Sequence, residues 1–128
     1  MSPDEFRLKT GLLGFTPGSL NIIFSDLDGR AADVFHGKAP VPDRVGAIVA
    51  AWWEEVITAV DTMVREATSA WEATGAPAQL TSYATHAALP KHEGAYASSI
   101  QAWDYHLGLI IRALDQSGIP HQITTITG

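Results

Sequence analysis

Apolar residues recur at three- and four-residue steps from Asp43 to Thr74, and this spacing predicts one long amphipathic helix. Glu54, Glu55, Thr58, Asp61, Thr62, Arg65, Glu66, Ser69 and Glu72 share a narrow polar face. Val45, Ile48, Val49, Trp52, Trp53, Val56, Ile57, Val60, Met63, Val64, Ala67 and Trp71 occupy the remaining arc. At 1.5 Å per residue such a helix would run roughly 45 Å, longer than a small globule needs. An apolar arc this wide predicts burial against a sheet, a second helix or a neighbouring subunit. Gly75 and Pro77 provide the stop.

The flanking patterns are shorter. Residues 1–15 alternate Phe6 and Leu8 with polar neighbours before Gly11 and Gly14, which suggests an N-terminal arm or edge strand. Thr16-Pro17 is a helix start, and Leu20, Ile23, Phe24, Leu27, Ala31, Val34 and Phe35 continue at helical steps, so a helix is expected over about 17–35. Within it, Ser25-Asp26-Leu27-Asp28-Gly29 resembles the opening of a calcium loop. The following residues supply neither the later ligands nor the closing glutamate, which leaves a helix face as the reading. Residues 36–42 form a linker. Residues 76–93 read as a short helix over 78–88 or as a loop.

From Ala95 to Leu114 two periods coexist. Tyr96, Ile100, Trp103, Leu107, Ile111 and Leu114 fit a helix, whereas Trp103, Tyr105, Leu107, Leu109 and Ile111 fit a strand. The tail from Ile119 to Thr127 is largely β-branched and reads as a terminal strand. The fold class that follows is α+β in a single domain spanning 1–128, with the long helix packed on a small antiparallel sheet. The alternative is a mostly helical hairpin or bundle.

Composition narrows the function classes. The formal net charge of −6 argues against nucleic-acid binding, which requires a basic footprint. Only 17% of residues are charged against 46% hydrophobic, and four tryptophans are present, which suggests that part of the surface is covered by a partner; a well-covered monomeric core is the alternative. The absence of cysteine excludes disulfides, thiolate nucleophiles and Cys-based zinc sites. The acidic start predicts no signal peptide. Glu54 and Glu55 interrupt the most apolar span, so no membrane helix is expected. The expected compartment is the cytoplasm or the interior of an assembly.

The candidate chemistry is sparse. Of His36, His86, His92, His106 and His121, the nearest approach to a metal or general-base pair is Asp104 with His106, which would share a face only on a strand. His92-Glu93 lies on an expected turn. Ser98 and Ser99 lack the glycine pair of a nucleophile elbow. Glu54, Glu55 and Asp61 read as a solvated face. No catalytic residue, metal site or cofactor is assigned. Trp52 and Trp53 diverge by about 100° around a helix, so one is expected in the home core and the other at a neighbour. The candidate interface set is Trp52, Trp53, Val56, Val60, Met63, Trp71 and Trp103.

The segment Ala88-Leu89-Pro90-Lys91-His92-Glu93-Gly94-Ala95-Tyr96-Ala97-Ser98-Ser99-Ile100 resembles part of the tail-completion proteins of tailed bacteriophages, which join head connector to tail tube. Pro90, Gly94, Tyr96, Ser99 and Ile100 carry the resemblance, downstream of a long helix as in that family. It implies an α+β fold, a homo-oligomer arranged as a ring, contacts with other virion components, and no catalytic residues. A second resemblance is to small secreted helical-hairpin proteins of actinobacteria, in which a Trp and a Gly mark the turn between helices. Here Trp71 and Gly75 stand four apart rather than two. The expectation is therefore a structural assembly protein acting as a homo-oligomer, placed in the cytoplasm or in a virion. A small enzyme or ligand-binding domain is the rival, with an apolar pocket between the long helix and residues 95–114 and with His92, Asp104 or His106 at its mouth.

Overall fold

The computed structural model describes residues 1–90 and 97–127. Helix α1 (Pro3–Leu12) replaces the expected arm or edge strand. Ser2 Oγ accepts the Glu5 N–H at 3.1 Å, Pro3 opens the first turn, and Phe6 and Thr10 are buried one turn apart. The helical spacing of these two residues outweighs the alternation of Phe6 and Leu8, because Leu8 points outward and is 56% exposed.

The expected helix over 17–35 is broken in two. Helix α2 (Pro17–Ile23) begins with a capping box in which Thr16 and Ser19 each satisfy the other's backbone N–H. Phe24 is extended, Ser25–Leu27 form a 3-10 turn, and Asp28 (φ 49°) and Gly29 (φ 72°) turn left-handed before α3 (Ala31–Phe35). Asn21 Oδ1 accepts the first α3 N–H, from Ala31, at 2.9 Å and ties the two pieces together.

Helix α4 (Asp43–Thr74) is continuous for 32 residues, as the pattern predicts. Pro42 occupies its cap position and Asp43 its first turn, so Asp43 serves the helix dipole rather than the cap. Gly75, at φ 70°, donates its N–H to the Trp71 carbonyl at 2.8 Å and ends the helix. Strand β1 (Ala78–Tyr83) follows, where a short helix or loop was expected. Helix α5 (Ile100–Gln116) then settles the ambiguity over residues 95–114 in favour of the helical period, and β2 (His121–Ile126) is the strand expected in the tail.

The sheet corrects the fold class. β1 and β2 pair in parallel, from Ala78 opposite His121 to Tyr83 opposite Ile126, and not antiparallel. The cause is α5. A helix of 17 residues spans roughly 25 Å. It returns the chain to the end from which a strand of about 20 Å began, so the second strand must run alongside the first. The mixed helix-and-strand character holds, with a βαβ unit in place of the antiparallel sheet.

Two hydrophobic clusters sit along α4. The first joins α1, α2 and α3 to its N-terminal half through Phe6, Leu20, Phe24, Leu27, Val34, Val45 and Val49. The second joins β1 and α5 to its C-terminal half through Val60, Leu80, Leu107, Ile110, Leu114 and Ile119. A small group between them, Leu13, Val56 and Ala102, is fully buried.

Candidate functional site

The polar stripe of α4 is solvated along almost all its length, and the apolar arc divides by position. Val56 is fully buried and Val60 nearly so, both inside this chain's own core. Trp52 is half-buried in the N-terminal cluster, stacked on Phe15 at 5.0 Å and tilted against Phe24 at 5.5 Å. Trp53 lies one step round the helix, half-buried, with Tyr105 of α5 stacked at 5.8 Å and the Lys9 ammonium 5.5 Å from the ring. The two tryptophans thus diverge as expected, and each meets aromatic partners within the chain. Trp71 packs on the C-terminal cluster. Met63 is 37% exposed.

Trp103 has a sharper role. Its indole Nε1–H donates to the Thr81 carbonyl at 2.8 Å, and its ring meets Tyr83 edge-on at 5.1 Å. The backbone of Thr81 faces away from β2, because the ladder is fixed by Ala78 N–H to Pro120 O and Ala84 N–H to Ile126 O. Trp103 therefore caps the middle of the outer edge of β1. The signal was legible as a tryptophan on a stripe, but its carbonyl partner lies in a strand that sequence reasoning did not predict.

Among the residues of the phage-like segment, Gly94 and Tyr96 lie outside the described residues, as does His92. Pro90 follows the buried Leu89, and Ile100 is the first residue of α5. Ser99 is an organising residue. Its Oγ accepts the Ala102 N–H at 3.0 Å, capping α5, and donates to the Leu13 carbonyl at 3.1 Å. Ser98 Oγ reaches the same carbonyl at 3.1 Å, and Gln101 Nε2 reaches the Gly11 carbonyl at 2.8 Å. The start of α5 thus donates to two carbonyls at the end of α1, that of Leu13 and that of Gly11, the second of which also accepts the Gly14 N–H at 3.0 Å. Gly14 (φ 84°) lets the chain turn there, and a side chain at that position would collide with Ser99.

The candidate chemical pairs do not converge. On helical α5, Asp104 is exposed and His106 is buried beside Trp103, 5.4 Å between ring centres, so the two do not share a face. His36 and His86 are exposed. His121 Nδ1 lies 3.6 Å from Asp115 Oδ1. Among the described residues no three His, Asp or Glu side chains gather to hold a metal ion. The seam between α4 and α5, where a pocket was expected, is filled by Val56, Val60, Ala102, Leu107 and Ile110. A shallow cleft of about 350 Å³ opens elsewhere, between α1 and the start of α4, with Glu5, Lys9 and Asp43 around Gly46 and Ala47. No described helix is long and apolar enough to cross a membrane.

What the surface does offer is uncovered apolar area at both ends of α4. Leu8 and Leu12 of α1 and Ile22 and Ile23 of α2 are exposed on the N-terminal side, Ile22 to 87%. On the other side every residue of β2 after His121 is exposed, including Ile123 (50%) and Ile126 (43%). Comparison with protein-family models, curated proteins and solved structures gives no match to this chain.

Proposed function

We propose that this protein is a structural assembly component that acts as a homo-oligomer. Its specific form, carried by the resemblance of residues 88–100, is a ring-forming part of the head-to-tail joint of a tailed bacteriophage, in contact with other virion components. The observation that supports assembly is the exposed apolar surface on either side of a rigid helix. A 32-residue α4 measures about 48 Å, and it holds Leu8, Leu12, Ile22 and Ile23 at one end apart from Ile123 and Ile126 at the other. Large apolar side chains left this exposed at both ends of the helix are available for contact with other proteins. Separate exposed apolar sites on one subunit allow more than one kind of subunit contact, as a ring built from paired copies requires. The low charge content works in the same direction, since only 17% of residues resist burial at an interface through charge.

The test is the absolute mass in solution, by light scattering after size exclusion over a wide concentration range, with electron microscopy of the same fractions. A discrete multiple of the 13.7 kDa chain mass is expected, and closed rings in the micrographs would support the joining role. A monomer at every concentration would overturn the homo-oligomer reading.

A further inference from the structure

We propose that the outer edge of β2 pairs antiparallel with the same edge of a second copy of this chain, about a two-fold axis at Ile123. This rests on the homo-oligomer reading and names the surface that would serve it.

The two edges of the ribbon are unlike. The outer edge of β1 is capped at its centre by the Trp103 indole on the Thr81 carbonyl. In β2, the ladder to β1 uses the backbone of Gln122, Thr124 and Ile126, so the N–H and C=O groups of His121, Ile123 and Thr125 point the other way. Among the described residues no backbone group pairs with them. A two-stranded parallel ribbon is also a poor place to stop, because parallel strands are normally covered on both faces. Here the helices cover β1, and β2 overhangs them: Leu80 is 3% exposed, whereas Ile123, its neighbour on the same face, is 50% exposed.

The occupant is set by charge and by register. Natural edges are usually blunted by charged side chains or by a proline in the pairing positions. From Gln116 to Gly128 this chain has no Asp, Glu, Lys or Arg. Pro120 belongs to the set whose backbone faces β1, so it leaves the outer edge intact. Each copy carries a net charge of −6, and the acidic stripe of α4 would repel its counterpart; the uncharged β2 edge is where two copies can approach without that cost. Centring the axis on Ile123 places Ile123 opposite Ile123 of the other copy, His121 opposite Thr125, and Ile126 opposite Pro120. About six hydrogen bonds would close between the facing groups. On the helix side the result is one apolar row, Leu80 and Ile123 meeting Ile123 and Leu80 of the partner. The sheet becomes four-stranded, with its two free edges capped by Trp103, so the pairing closes at two copies.

The chain lacks cysteine, so the register can be read by single-site cross-linking. Directly opposed residues in a hydrogen-bonded antiparallel pair have Cα atoms about 5.5 Å apart and Cβ atoms at a similar distance, too wide for a direct disulfide but within reach of a short bifunctional methanethiosulfonate cross-linker. With that reagent, Ile123→Cys is expected to cross-link to a covalent dimer with high yield. Thr125→Cys, which faces His121 of the partner and not itself, is expected to give at least tenfold less. Ile123→Lys is expected to weaken pairing at least tenfold by light scattering, while its far-UV circular dichroism stays unchanged because the side chain is half-exposed. Ile22→Lys, on α2, is the control that leaves β2 pairing intact. An oligomer that persists in Ile123→Lys, or equal cross-linking at positions 123 and 125, would overturn this interface and leave the homo-oligomer reading standing. A wild-type monomer with no cross-linking at either position would overturn both.

Discussion

Replacing Gly14 by Ala tests the junction that joins the end of α1 to the start of α5. Two costs add at this site. Gly14 has φ 84°, a left-handed conformation, which costs a residue with a Cβ about 1 kcal/mol. The new Cβ would also lie 2.9 Å from Ser99 Cβ and collide with Ser99 Oγ, so the serine must move. Moving it removes the cap on the Ala102 N–H and a bond to the Leu13 carbonyl, each about 1 kcal/mol. The expected loss is about 3 kcal/mol, or roughly 12 °C in Tm for a chain of this length.

Gly75 supplies the comparison. It has φ 70° and open space around its would-be Cβ, so Gly75→Ala pays the backbone cost alone, about 1 kcal/mol. Denaturant unfolding at low protein concentration measures both. The cycle is completed in a Ser99→Gly background, where glycine remains an adequate cap and no side chain is left to collide. There, adding Gly14→Ala is expected to cost only about 1 kcal/mol. Equal losses for Gly14→Ala and Gly75→Ala, or no coupling to Ser99, would refute the steric account of this junction.

Two further substitutions test local devices. Trp103→Phe retains the ring edge against Tyr83 but loses the donor to Thr81 O; a loss of about 1–2 kcal/mol is expected, with faster amide exchange across β1 by mass spectrometry. Thr16→Ala breaks the capping box of α2 and is expected to cost about 1 kcal/mol in denaturant unfolding, a loss that Thr16→Ser should largely restore.

The parts of the fold that could be read from sequence are those whose signal is local and repeated. Helix α4 was legible to its ends because its apolar arc persists for many turns and Gly75 stops it chemically. The terminal strand was legible because β-branched residues crowd it. The break at Phe24–Gly29 was not, since Phe24, Leu27 and Ala31 keep helical spacing while the chain departs from a helix; all three remain buried because the turn folds back on the same core. Strand β1 was missed for another reason. Ala78, Gln79 and Leu80 favour helices by themselves, and the segment becomes a strand only by pairing with residues more than forty positions away (Gln79 with Gln122, for example). The parallel sense of the sheet depended on resolving residues 95–114, whose two periods are equally good in isolation. For the candidate surfaces, the sequence located the apolar side of α4 but could not separate Val56, which its own chain buries, from Met63, which it leaves exposed.

The position of Val56 gives that residue a role distinct from the rest of the arc. The N-terminal cluster is built from α1, α2 and α3, the C-terminal one from β1 and α5, and α4 runs through both. Between them the buried trio of Leu13, Val56 and Ala102 carries side-chain packing from one cluster towards the other. Val56→Ala removes two buried methyl groups and is expected to cost about 2 kcal/mol. The more telling outcome is where that loss appears. If the trio couples the clusters, weakening it should let the smaller elements α2 and α3 open without α5, so their amide protection falls further than that of α5 and β1 in native-state hydrogen exchange. An equal fall in both would show that the continuous backbone of α4 is sufficient to hold the clusters as one cooperative unit, and the bridging role assigned to Val56 would be wrong. The result also bears on assembly: exposed patches at opposite ends of α4 keep a fixed relation only if the packing between the two clusters does.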